Sequence, residues 1–514
     1  MAHASIHPSQ EPSFLSYEEL KTLSEGRVVE GPLYEKLEKF WVTPTISNEA
    51  YYRNIKPFSP HHSEIGKSLI LGTWNIEKSI HMERVINLSI SEKAFELMID
   101  RKKAPPGSRL DQLIHEQRNR FLLADIIVLQ EMDIGVKRSQ YRNAAKALAE
   151  ALDMNYVYAP EYLEIDPVTL GLEEISLENG AKDTEAMEYF KVDPRRYKGV
   201  FGSAVLSRYP IKHVEVHQLK HQPYDWYGGE KSKTTFLENV RRFGTKTIFK
   251  NEITREIKIG GRIFFRVDLE VPELPEKTLT VINIHLEIKC LPKDRTRQMQ
   301  EILSYLQDIN HPVIVAGDFN AAPEDLSSTS VTRVAVRALK NPTNWLALAV
   351  NTISPHALAV NVTRAVSNVT KNFQDPTSRN VPILAPNPVE SMFQMIEDYR
   401  FNDGGVFDFR GERQRSLGRK KGTLANSNQR DFKGFKTTFK VIRPIGRWVG
   451  KFRLDWIFVK SFLKNFSRDQ KGSYRFAPHY GETLEELNTS LTAQLSDHHP
   501  SIVYLPFEEP QLKN

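Results

Sequence analysis

A set of polar residues stands out because each lies at or beside one end of a short apolar run: Asn75, Glu77, Glu131, His285, Asp318, Asn320, Asp455, Asp497 and His498. Singly they carry little. Gly-Asp-Phe-Asn at 317–320 is by itself a strand-ending turn, since Gly, Asp and Asn all favour turns. Together they supply carboxylates, carboxamides and two imidazoles. Hard oxygen ligands with histidine and no cysteine describe a magnesium- or manganese-type site, not structural zinc. Magnesium is held by one or two carboxylates plus substrate phosphate, so carboxylates scattered singly along a chain suffice. Phosphoester hydrolysis needs those parts: a cation against the phosphate charge, a positioned water, and an acid for the leaving oxygen.

Strands must deliver these groups. Val313–Val315 is a β-branched run that Gly317 ends, so it reads as a buried strand presenting Asp318 and Asn320 at its open end. Leu69–Ile76, Ile126–Leu129, Tyr156–Tyr158, Gly202–Arg208, Arg262–Leu269, Thr278–Ile284 and Leu454–Val459 read the same way, and Ser496–Val503 turns from polar residues into a last strand. Helical periodicity lies between them: Leu110, Leu113, Ile114 and Phe121; Ala145, Leu148 and Leu152; Met299, Ile302, Leu303 and Leu306. Strand and helix alternate repeatedly, so the class is α/β with some hairpin-like antiparallel pairs. Ser16 and Glu19 spell a capping box for an early helix. Residues 1–66 otherwise read as an N-terminal extension, followed by one domain over 67–510 with insertions near 80–120, 160–198 and 325–450. The acidic stretch Glu161–Glu188 has no clear period and reads as exposed, and helical pieces are expected around Val331–Leu346.

Composition narrows the function. The 514 residues are 40% hydrophobic and 26% charged, ordinary globular chemistry. One cysteine, Cys290, excludes an intrachain disulfide and gives no support for a thiolate metal cluster. No signal peptide pattern opens the chain and no run has the length of a membrane span, which makes a cytoplasmic protein the expectation. The net charge of +6 suits an anionic ligand without requiring nucleic acid.

Two stretches admit two readings. His221–Glu230 (HQPYDWYGGE) is either a packed loop or a binding loop in which Trp226 and Tyr227 offer flat faces to a substrate. From Arg410 to Lys451, thirteen Lys and Arg residues meet only Glu412 and Asp431, with Phe432, Phe435 and Phe439 between them. That tract is either a solvated basic face or an anion-binding surface.

The ordered pieces TWNIE (73–77), LQE (129–131), SAVLSRYP (203–210), NIHLE (283–287) with Arg295–Gln298 after it, GDFN (317–320), LDWIFV (454–459) and SDHHP (496–500) resemble the endonuclease/exonuclease/phosphatase superfamily. The resemblance implies a four-layer DNase I-like sandwich, two packed mixed β-sheets flanked by helices, with a Mg2+ or Mn2+ site at one sheet edge. It implies that Glu131 is the principal metal carboxylate with Asn75 beside it, Glu77 a secondary acid, and Asp497 a residue that braces the site or contacts metal. Asp318 would orient or deprotonate the attacking water, and Asn320 would bind a phosphate oxygen. His498 would touch the phosphate or transfer a proton, oriented by Asp455. Arg295 joins Trp226 and Tyr227 as an expected substrate contact. His285 matches the second histidine of the DNase I, sphingomyelinase and phosphatase branches, where abasic-site endonucleases carry Tyr. The HQPYDWYGGE stretch and the basic tract suggest a bacterial-type subgroup. The expected activity is hydrolysis of a phosphodiester, with nucleic acid favoured. A small or lipid phosphoester is the alternative, and a non-catalytic binding module the further one.

Overall fold

Strand alternation explains both the core and the site. In Gly66–Asn75, Leu69 and Leu71 face one apolar cluster while Ile70 and Trp74 face another. In Val313–Asp318, Ile314 and Ala316 join the cluster of Leu69 and Leu71, and Val313 and Val315 point the other way. Both strands are thus buried on both faces, and the shared cluster is the seam between two sheets. The computed structural model describes residues 6–26, 30–174, 188, 190–231, 256–321, 389–410, 413–415, 438–442, 449–464 and 472–511.

The first sheet runs, in spatial order, Thr45–Ser47, Asn155–Glu164, Val200–Ser207, Ile126–Ile134, Gly66–Asn75, Ser501–Pro506 and His479–Thr483. Short strands His61–His62 and Lys258–Gly260 pair onto its sides. The second sheet runs Gly405–Phe407, Asp455–Lys464, Val313–Asp318, Thr278–His285, Ile263–Glu270 and Ile211–Gln218. Both are mixed, each with a parallel pair at its heart: Gly66–Asn75 with Ile126–Ile134, and Thr278–His285 with Val313–Asp318. Helices Met82–Ile90, Arg109–Leu122 and Ala144–Leu152 bury Val85, Leu88, Ile114, Phe121 and Leu148 in the outer core of the first sheet. Pro292–Leu306 and Glu390–Asp398 bury Met299, Ile302, Phe393 and Ile396 over the second. The result is the expected four-layer sandwich. No helix among the described residues is long and apolar enough to cross a membrane.

Several expectations about organisation change. The stretch before residue 67 is no appendage: Leu15, Leu20, Leu23 and Phe40 lie in the outer core, and Thr45–Ser47 is the edge strand. Its helix Tyr17–Glu25 carries the capping box of Ser16 and Glu19. Asn48 fastens it further, accepting from Ile211 N at 2.8 Å and donating to Ile211 O at 3.0 Å. Residues 82–122 form a helical layer and not an excursion, because their apolar stripes need the sheet to cover them. The insertion expected from 160 begins later, since Glu161 is buried inside the strand Asn155–Glu164. Part of 325–450 returns as the edge strand Gly405–Phe407. The helices expected near Val331–Leu346 lie outside the described residues.

Candidate active site

Parity and register assemble the polar set. Asn75 has the parity of Leu69 and Leu71, His285 that of Leu279 and Val281, Asp318 that of Ile314 and Ala316, and Asp455 that of Ile457 and Val459. All four therefore turn into the gap between the sheets, past the last apolar layer. Strand register brings their ends level, with His285 opposite Asp318 and Asp318 opposite Asp455. Glu131 has the wrong parity, following Ile126 and Val128 of the seam. A register shift between Leu129 and Met132 and a φ of 59° at Glu131 break the alternation and re-aim its carboxylate. Asn320 also sits at positive φ, in the turn that Asp318 Oδ1 closes by accepting from its backbone N–H at 2.8 Å.

A chain of contacts joins these residues. Asn75 Nδ2 donates to Glu131 Oε1 at 3.2 Å and to Asp318 Oδ2 at 3.1 Å. Nε2 of His498 is 3.8 Å from Asp318 Oδ2, and its Nδ1 is 2.8 Å from Asp455 Oδ2. Nε2 of His285 stands 3.8 Å from Asp318 Oδ2 and 3.9 Å from Glu131 Oε1. Glu77 accepts from the Asp497 backbone N–H at 3.0 Å, and its own N–H donates to Asn75 Oδ1 at 3.1 Å. Asn320 Nδ2 donates to Leu286 O at 2.9 Å. The structure thus gathers Asn75, Glu77, Glu131, His285, Asp318, Asn320, Asp455, Asp497 and His498 in one place.

It does not bring Trp226, Tyr227 or Arg295 to that pocket as open contacts. Trp226 is 6% exposed, its Nε1 donates to Glu287 at 2.9 Å, and Lys258 and Lys289 lie 3.7 and 4.0 Å from its ring centre. Tyr227 is buried against the outer core and donates to Ser24 O. Arg295 is 1% exposed and braces the turn at Glu287, donating to its carbonyl at 3.1 Å. Aromatic and cationic side chains in a loop look alike whether they face solvent or pack, and here apolar neighbours and ion pairs claim them; stacking on Trp226 and Tyr227 is withdrawn. In the basic tract, Arg410 and Arg415 are buried partners of Asp408, at 2.9 and 3.1 Å. Despite its burial, Arg415 and Arg410 hold the Asp408 carboxyl down at about 2. Lys420 and Lys421 lie outside the described residues.

Other residues escaped the sequence reading. Arg262, Glu161 and Glu287 form a buried ion cluster behind His285. Gln130 and Asn283 brace the seam, 2.9 Å apart. An acid in the interior of the apolar strand Asn155–Glu164 was the available signal for Glu161; nothing local marked Arg262.

Electrostatics separate the two imidazoles. Burial disfavours a charge on both. For His498 the carboxylates of Asp455, Asp318 and Asp497 outweigh burial and hold its pKa well above the ordinary histidine value. For His285 burial, the Arg262 charge and His498 all press the same way, well below it. Burial raises Asp318 to about 7, with His498 opposing and Asp455 adding to the rise. Glu77 rises to about 8 through burial and the charges of Asp497 and Glu131, and Asp497 to about 6, chiefly through burial.

These acids are short of positive charge. Among the described residues, Glu131 is met by neutral donors, the Asn75 amide and the Lys78 backbone N–H at 3.2 Å, while the Lys78 ammonium pairs with Glu256. An oxygen-rich cluster with that shortfall fits a hard divalent cation. Asp318, Asp455 and His498 also place ligand atoms within 4.8 Å of one another. There the imidazolium already stands between the carboxylates, so the Glu131 group is where a cation is needed.

The sequence model of the Endonuclease/Exonuclease/phosphatase family matches residues 72–498. Comparison with curated proteins gives no match. Among solved structures, the chain is similar to an endonuclease/exonuclease/phosphatase from Beutenbergia cavernae at 14% identity, covering 85% of this chain and 71% of that one, with a TM-score of 0.36. A family protein from Leptotrichia buccalis shows 14% identity over 85% of this chain and 98% of its own, with a TM-score of 0.33. D. rerio TDP2 complexed with single strand DNA product shows 12% identity over 85% and 98%, with a TM-score of 0.32. The match over residues 72–498 spans every one of the gathered residues, and this chain belongs to the Endonuclease/Exonuclease/phosphatase family.

Proposed function

We propose that this protein is a divalent-metal-dependent phosphoesterase that hydrolyses a phosphodiester by in-line attack of water, with nucleic acid as the favoured substrate. The observation that carries the reading is the relay Asp455–His498–Asp318 beside a carboxylate group short of positive charge. A Mg2+ or Mn2+ ion held by Asn75, Glu131 and Asp497, with Glu77 beside them, would neutralise phosphate charge. Asp318, raised to about 7, suits a base that takes the proton of the attacking water as its oxygen bonds to phosphorus. His498, charged and held by Asp455, gives its Nε2 proton to the leaving oxygen as that P–O bond breaks. Asn320, held at Leu286 by one amide hydrogen, has the other for a phosphate oxygen.

The substrate preference rests on one placement. The C-terminal end of the basic tract reaches the site: Phe439–Ile442 and Val449–Phe452 form a two-stranded ribbon, and the Phe439 ring centre is 4.8 Å from that of His498. His499 N–H donates to Thr438 O at 2.7 Å, tying the ribbon to the site. Lys440 and Lys451 share a register position on it. A basic ribbon beside the reacting groups suits an extended polyanion.

The test is hydrolysis of bis-p-nitrophenyl phosphate with Mg2+ or Mn2+ and in excess EDTA, followed by DNA, RNA, sphingomyelin, inositol phosphates and nucleotides at several salt concentrations. Turnover only with the cation is expected, and turnover retained in EDTA removes the metal assignment. Nucleic-acid binding should weaken steeply with salt, and Lys420→Glu with Lys421→Glu should flatten that slope. Turnover of a small or lipid phosphoester, with no salt-sensitive nucleic-acid binding, assigns the enzyme to that substrate class instead.

A further inference from the structure

The two imidazoles of the pocket meet opposite partners through the same ring nitrogen. Nδ1 of His498 faces the Asp455 carboxylate at 2.8 Å, whereas Nδ1 of His285 lies 2.8 Å from Nη1 of Arg262. A guanidinium has N–H donors and no acceptor. Facing it, Nδ1 of His285 can only accept, so the ring proton of the neutral imidazole sits on Nε2. That nitrogen is the one turned to the reacting groups, 3.8 Å from Asp318 and 3.9 Å from Glu131. We infer that Arg262 is a positioning residue that locks His285 in its Nε2–H tautomer and so makes it a fixed hydrogen-bond donor toward the substrate phosphate. This rests on the phosphoesterase reading for the identity of the acceptor, but not for the tautomer.

The surroundings show why the guanidinium is held there. Arg262 Nη1 also donates to Glu161 Oε2 at 2.9 Å and its Nε to Glu287 Oε2 at 3.3 Å, and all three residues are buried. Glu287 is fixed in turn by Trp226 Nε1 and the Tyr162 hydroxyl. Two acids thus compensate the buried cation while one of its N–H groups meets the imidazole. Glu161 Oε2 is itself 3.8 Å from Nδ1 of His285. Without Arg262 that acceptor becomes the nearest partner, calls the proton to Nδ1, and leaves Nε2 with a lone pair turned toward the phosphate.

The tautomer can be read directly by long-range 1H–15N correlation on the full chain labelled with [15N]histidine. Wild type should give the Nε2–H pattern for His285, and Arg262→Lys, which keeps a donor, should keep it with kcat within about tenfold. Arg262→Met should shift the pattern to Nδ1–H and lower kcat about 10²-fold, the scale of losing one preorganised donor. Adding Glu161→Gln to Arg262→Met supplies an amide N–H to Nδ1, and should restore the Nε2–H pattern and at least tenfold of the lost rate. A wild-type His285 in the Nδ1–H form overturns the inference, as does an Arg262→Met protein whose tautomer is unchanged. If Arg262→Met does not fold, wild type and Arg262→Lys still decide. Wild type with the Nε2–H pattern but no phosphoester turnover supports the lock and overturns the phosphoesterase reading; turnover with the opposite tautomer does the reverse.

Discussion

Replacing Asp455 by Asn tests the relay at its most buried link. The carboxylate is 0% exposed, and its Oδ2 is 2.8 Å from Nδ1 of His498. Two unit charges at that separation attract by about 6 kcal/mol at an effective dielectric of 20. Asp318, 3.8 Å from Nε2, contributes about 4 kcal/mol on the same scale. Burial of the imidazolium offsets much of both. With Asp455 neutral, the attraction of Asp318 remains against nearly the full burial penalty, so the His498 pKa should fall back toward or below its ordinary value. The ring can then discharge, which limits the loss of stability to about 2–4 kcal/mol, near the cost of breaking a buried pair. The sign follows from linkage. The folded pKa of His498 is raised, so its contribution is complete below about 6.5 and is lost as pH rises through the elevated folded value. The stability gap between wild type and Asp455→Asn should therefore be wider at pH 6 than at pH 9 in urea titrations. In steady-state assays on bis-p-nitrophenyl phosphate with saturating Mg2+, kcat should fall about 10²–10⁴-fold with KM little changed. A kcat within about threefold of wild type, or a gap that widens with pH, refutes the pairing as the source of His498's charge.

Three further outcomes follow from the same geometry. Glu77 and Asp318 are raised to about 8 and about 7, so each stabilises cation-free protein at low pH and loses that contribution as pH rises through those values. Calorimetry should show the cation-free Tm falling from pH 6 to pH 9, and a larger Mg2+-induced rise at pH 9; equal rises would move the cation away from these acids. Glu131→Gln keeps the shape but removes a charge, and should abolish most of that Mg2+-induced rise and lower kcat at least about 10²-fold; an unchanged rise would reassign the principal ligand. Gly317→Ala places a Cβ 2.0 Å from Ile284 O at a φ of 143°, and should cost about 3 kcal/mol or more in urea unfolding. A midpoint equal to wild type would show that the backbone there yields easily.

The sequence by itself determined the layers and most of the pocket. Short continuous apolar runs such as Val313–Val315 and Leu69–Leu71, bounded by Gly and polar residues, read as buried strands, and the polar residues at their ends emerge where the apolar seam stops. Asn75, His285, Asp318 and Asp455 were legible for that reason: each continues the inward parity of its own strand. The capping box at Ser16 was legible too, because its two hydrogen bonds are local. What lay beyond reach depends on contacts between distant segments. Glu131 was legible from its motif, but its route into the pocket, through a bulge and a positive φ, is one that alternation cannot forecast. Residues before 67 looked peripheral because Pro44, Pro57, Pro60 and His61–His62 interrupt the approach to the first strong strand, yet Leu15, Leu20, Leu23 and Phe40 complete a core that other segments supply. Trp226, Tyr227 and Arg295 resembled substrate contacts because an aromatic or a cation carries no mark of which way it will face; burial against Glu287, Lys258 and Ser24 was settled by the fold. The partner of each imidazole was decided the same way. Asp455 is 43 residues from His498 and Arg262 is 23 from His285, and strand pairing, not spacing, chose an acceptor for one ring and a donor for the other.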